Sequence, residues 1–205
     1  MRWCLFSSVS RSQPSSSSTL LGVSASPAGV PSEVYDVLGR PAETNLLVLS
    51  YRDGPDEWLG DWKRHVGEPP AEVGFVTVGE MARSASANVP GGPARSPPGD
   101  ALPLAETVED PADLATLGVR ASEYLEAWDG NGNGNRTVVV LDSLTGLLEA
   151  VSLDRAFEFL HLLAGRVESV DGSAYYLLDP EAHDYESVSV VRELADAVVG
   201  LGDPR

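Results

Sequence analysis

Two stretches of the chain are apolar at successive rather than alternate positions: "NLLVLSY", Asn45 to Tyr51, and "TVVVL", Thr137 to Leu141. Side chains along a strand point to opposite faces in turn, so such a run has no face to offer to water. Strands of this kind belong inside a parallel sheet whose two sides are covered by helices. The sequence between and after them follows that plan. "PDEWLGDWKRHVG" carries Pro55, Asp56 and Glu57 where a helix begins, Lys63, Arg64 and His65 where it ends, and Gly67 as its stop. Trp58, Leu59 and Trp62 form its buried stripe, with the tryptophans as core anchors.

Further strands are expected at Glu72 to Glu80, Gly172 to Asp179 and Asp196 to Leu201. Helices are expected at 111–128, directly after Asp142, at 153–170 and at 186–195, with a short helical segment in "SEVYDVLG". Strands and helices in alternation predict a three-layer α/β fold of about five parallel strands with helices on both faces. Residues 1–30 are rich in serine and proline and read as a disordered tail, leaving one domain over 31–205. Ala82 to Leu102, "ARSASANVPGGPARSPPGDAL", has no periodicity and reads as a mobile loop.

The charge balance narrows the function classes. The chain has 31 acidic against 14 basic residues, a net of -17, and Lys63 is its only lysine. Dense carboxylates hold water and cations where salt screens charge over a few ångströms, so a halophilic source is expected. The charge argues against nucleic acid as a direct ligand, because binding it relies on cations that release phosphate counterions. No segment reaches membrane-spanning length, and the apolar "WCLF" is too short for a secretory signal. A cytoplasmic protein with no membrane partner is expected. Cys4 is the single cysteine and the three histidines are scattered, so a metal site of nitrogen and sulfur ligands is not expected. His161 shares a helix face with Asp154 and Glu158 and is expected to be exposed and paired with Glu158. "DPEAHD", Asp179 to Asp184, reads as an acidic loop with a turn-forming proline, and a bound cation is the alternative.

"VVVLDSLTGLLEAVS" resembles the Walker B strand and following segment of RecA-like ATPases of the KaiC branch. "LATLGVRASEYLEAW" stands where that family has the helix leading into Walker B, "GRVESVDGSAYYLLDPEAHD" resembles its helix end and fourth core strand, and "LADAVVGL" its closing segment. The resemblance covers about Val34 to Leu201 and is nearest to small haloarchaeal RecA-like or transducer-like proteins. It implies a RecA-like fold, a signalling setting, self-association or a protein partner, and a magnesium-nucleotide site. In that site Asp142, with Ser143 beside it, would hold magnesium through water, and Glu80 would be the catalytic carboxylate.

The phosphate-binding half is missing. A P-loop needs "GxxxxGK[ST]", whose backbone N–H groups, lysine and hydroxyl hold phosphates and magnesium. The stretch after the Asn45 to Tyr51 strand, "SYRDGPDEWLGDWKRH", keeps Gly54 and Gly60 but has no such lysine. Asp53, Asp56 and Glu57 are expected to surround the helix amino terminus there, satisfying its dipole and repelling a triphosphate. Ordinary P-loop hydrolysis is therefore not expected, and no cofactor is. Glu80 then reads as a solvated loop residue, and Asp142 as a relic that caps the helix beginning near Leu144, assisted by Ser143. The function expected is a non-catalytic RecA-like regulatory or interaction module. The alternative is a nucleotide-binding protein or ATPase that uses Mg-ATP at a non-standard phosphate site built from Asp142, Glu80, Arg52 and the 82–102 loop. A DNA-processing accessory is disfavoured by the charge.

Overall fold

The computed structural model describes residues 18–23, 32–38, 40–79, 105–130, 132 and 134–201. Seven strands form one sheet: β1 (Ser18–Val23), β2 (Thr44–Ser50), β3 (Glu72–Val78), β4 (Ala105–Val108), β5 (Arg136–Asp142), β6 (Ser173–Leu178) and β7 (Ala197–Leu201). Their order is β4-β3-β2-β5-β6-β1-β7, and every adjacent pair is parallel. The helices are α1 (Ser32–Leu38), α2 (Pro55–His65), α3 (Leu114–Gly130), α4 (Leu144–Ala150), α5 (Leu153–Glu168) and α6 (Tyr185–Leu194).

The continuous apolar runs lie where their composition requires. All seven residues of β2 are buried, and so are six of the seven in β5. Successive side chains of these strands feed two separate cores. Leu46, Val48, Val138 and Val140 meet Val34, Tyr35 and Leu38 of α1 and Trp58 and Trp62 of α2. Leu47, Leu49, Val139 and Leu141 meet residues of α3, α4, α5 and α6. This is the three-layer α/β fold expected from the sequence.

Two strands escaped the sequence reading, and one of them corrects a boundary. Ser18–Val23 is not tail but β1, paired with β6 on one side and β7 on the other. Leu20 and Leu21 supply one side chain to each core, which a tail could not do. β4 is a short edge strand on β3. The sheet thus has seven strands where about five were expected. Because β1 comes first in the chain, the connection that follows the first strand is 24–31, "SASPAGVP", and not the turn after β2. That segment, like Glu80 and the 82–102 loop, lies outside the described residues. The chain's single lysine is Lys63, so neither connection contains "GK[ST]".

α2 is closed by Gly67 at φ +85°, a conformation that costs a glycine little. Gly74 on β3 serves packing instead, since a Cβ there would lie 2.4 Å from Tyr124 Cε1 in the α3 core. Gly74→Ala should therefore cost about 1–3 kcal/mol in urea unfolding, because Tyr124 is itself fully packed. A chain beginning at residue 31 should lose its cooperative thermal transition, since removing β1 leaves β7 without a strand to pair with.

Candidate functional site

Helices after adjacent parallel strands can leave to the same face or to opposite faces, and a crevice opens at the carboxyl ends where they diverge. β2 and β5 are such a pair. α2 covers one face and α4 the other. The two strands end in register, with Ser50 opposite Asp142, and Tyr51 N–H donates to the Asp142 carbonyl at 2.6 Å. The turn 51–54 therefore begins directly beside Asp142.

Asp142 shares the face of Val138 and Val140, beneath α1 and α2, and is fully buried. Ser50 Oγ accepts from the backbone N–H groups of Arg52 and Asp53 at 3.3 and 3.0 Å, which tightens the turn. The Arg52 guanidinium is shared between two carboxylates. Its Nε donates to Asp53 Oδ2 at 3.0 Å, and its Nη2 lies 3.5 Å from Asp142 Oδ1. The Asp142–Ser143 peptide is cis.

Tyr35 and Trp58 complete the surroundings, with ring centroids 5.6 Å apart. Among the described residues, nine buried side-chain nitrogen or oxygen atoms have no hydrogen-bond partner. Five of them meet here: Tyr35 Oη, Arg52 Nη2, Trp58 Nε1 and both carboxylate oxygens of Asp142. Trp58 favours the ionised form of Asp142 but completes no hydrogen bond of ordinary geometry with it. Burial pushes the Asp142 carboxyl up to about 6; Arg52 pulls it back, and Asp53 adds to the rise. Burial, then the charges of Asp61, Asp142 and Asp53, push the Tyr35 hydroxyl well above its ordinary value.

Several sequence expectations change in this light. Asp142 does not cap α4. Ser143 does, with Oγ accepting from Gly146 N–H at 3.2 Å. The carboxylates at the start of α2 do not cap it either, since its N-cap is Gly54 with no side-chain bond and Asp53 is turned to Arg52. Asp56 and Glu57 do occupy the first turn, on the exposed side. In the 179–184 loop, Asp179 accepts from Glu181 N–H and Asp184 caps α6 through Ser187 N–H. No group of three potential metal ligands occurs among the described residues. His161 is exposed as expected, but it forms no ion pair with Glu158 among the described residues. Arg52 was nameable from the sequence as a cation near the site; Tyr35 was not, because it reaches the site from α1, which packs over β5 only in the folded sheet.

An enzyme of the type the sequence resembles would need Asp142 to face a metal-bound nucleotide. The cation beside it is Arg52 of the turn that follows β2, and a guanidinium at this range competes with a divalent ion for the same carboxylate oxygen. Among the described residues, those around Asp142 turn its carboxylate to Arg52 and do not present it to a magnesium-nucleotide.

No curated protein matches the chain. Among solved structures it resembles an uncharacterised protein from Pyrococcus horikoshii, crystallised in complex with an unknown peptide. The TM-score is 0.60 at 12% identity, over 90% of this chain and 76% of that one, a likeness of fold. Among the described residues no helix is long and apolar enough to cross a membrane. A model of a family of unknown function, DUF7504, matches residues 17–201, from the residue before β1 to the last residue of β7. A match spanning all seven strands places the chain in that family: it belongs to DUF7504.

Proposed function

We propose that this chain is a non-catalytic module of RecA-like type that acts by binding another polypeptide. The observation that carries the reading is the Arg52–Asp142 contact. The carboxylate that would hold magnesium in the ATPases the sequence resembles already has a cation from its own chain. It lies beneath Tyr35 and Trp58, in a sequence that has no phosphate-binding lysine motif. Support for a polypeptide partner comes from the Pyrococcus horikoshii neighbour, which holds a peptide on a fold of the same kind. Regulation in haloarchaeal signalling is the setting the resemblance suggests, and the acidic composition suits a salt-rich cytoplasm.

The competing reading is a nucleotide-binding protein with a non-standard phosphate site. Calorimetric titration of ATP and ADP with magnesium into the folded chain, in molar potassium chloride, should give no saturable heat. Saturable binding that vanishes in Asp142→Ala would overturn the proposal.

The Arg52 contact also predicts an energetic asymmetry. Arg52→Ala leaves Asp142 buried without its counter-charge and should cost about 2 kcal/mol at neutral pH, less than for a fully buried pair because Arg52 is 34% exposed. Asp142→Asn keeps the shape, removes the charge and should cost less. The sign of the pH dependence follows from a folded-state value of about 6 against an ordinary 3.8. The folded state binds the proton more tightly, so this group's stabilisation is present below about 4 and is lost as pH rises through about 6. Denaturant midpoints of parent and Asp142→Asn, compared from pH 4 to 7, should therefore favour the parent progressively as pH falls. Parallel curves would show that Asp142 is not held in this way.

A further inference from the structure

The two edges of the sheet are built differently. β4 has four residues and carries a charged guard, with Glu106 bonded to Arg120 Nε at 2.8 Å and Glu123 joining the network. Charges and short length are common devices that keep an edge strand from pairing with another chain. β7, one residue longer, has no charged guard. Its five residues, "AVVGL", contain no charge and no proline. Among the described residues it pairs only with β1. Ala197, Val198 and Val199 are partly exposed, in contrast to the fully buried β2, and a Cβ at Gly200 would meet nothing within 4 Å. Val198 reaches toward the α3–α6 core and Val199 toward the α1–α2 core, so both cores run out to this edge.

We infer that β7 is the docking edge for an extended segment of a partner polypeptide, which adds as an eighth strand. The unpaired edge of a strand offers backbone donors and acceptors in a fixed row, and the ligand that matches such a row is another backbone. Alternate apolar side chains on the added strand would extend the contacts begun by Val198 and Val199, one on each face. At low ionic strength, where charge is little screened, a net of -17 favours an uncharged or basic segment and disfavours a second copy of the chain. This inference rests on the interaction-module reading and names the surface that reading lacks.

The test is selection from a random-peptide library against the folded full chain without nucleotide, followed by hydrogen exchange with the tightest synthetic peptide. The alternate amides of 197–201 that face away from β1 should exchange at least about tenfold more slowly with peptide bound. Two further versions of that peptide, N-methylated on alternate residues in the two possible phases, separate strand addition from side-chain docking. One phase should abolish binding and the other should be tolerated, because only every second N–H of an added strand faces β7. Protection elsewhere, equal tolerance of both phases, or failure of the library to yield a binder would overturn the inference. Protection of β7 that grows with protein concentration in the absence of peptide would overturn it in favour of self-pairing. Nucleotide binding in the calorimetric titration would sink the interaction-module reading alone, whereas protection mapping away from β7 would sink the docking edge alone.

Discussion

The pairing of β2 with β5 is the constraint on which the remaining structure depends. Neither strand has a polar face, so each must be covered twice, and the chain meets this by sending α2 to one side and α4 to the other. Divergence of the two connections opens a crevice between the strand ends as a geometric consequence. In-register termination then decides what lies in it. Ser50 opposite Asp142 brings the next residues of β2's turn, Arg52 and Asp53, against the last residue of β5.

An ionisable group in that position has to be answered. A buried carboxylate with no hydrogen bond is costly, and the chain answers it with an arginine 3.5 Å away that is also held by Asp53. Sharing weakens each half of the arrangement, since one guanidinium neutralises two carboxylates only in part. The rise of Asp142 to about 6 is the measure of what remains unanswered, with burial outweighing Arg52. Selection for stability alone would favour an apolar residue here. The same cost also makes this crevice a poor place to gain a second charge.

Much of the fold was legible in the sequence because its strongest signals are local. Continuous apolarity marked β2 and β5, and α2 carried its start, stripe and stop within thirteen residues, from Pro55 to Gly67. β1 was not legible for a physical reason. "STLLGV" is six residues long, follows a serine run and shows its role only through partners more than 150 positions away, Ala174 and Ala197 among them. β4, with four residues of mixed polarity, gives no pattern at all. The site was legible as a list of residues and not as an arrangement. Asp142 and Arg52 could be named, but the sequence suggested that Asp142 caps a helix, a role that the adjacent Ser143 performs. Choosing between neighbours requires the strand's pleat, which decides that Asp142 faces α1 and α2.

The placement of charge bears on how each edge of the sheet could meet another chain. A net of -17 keeps copies apart at low salt, and screening within about 10 Å at 0.1 M salt relaxes that repulsion as ionic strength rises. Contacts that survive in concentrated salt must then rely on backbone hydrogen bonds and apolar burial, which salt does not weaken. Of the two sheet edges, β4 spends a salt bridge on its margin, an element whose effect fades with screening. β7 leaves the side chains of Ala197, Val198 and Val199 partly exposed and has no charged residue within it. The edge without charge is therefore the one whose contacts depend least on ionic strength.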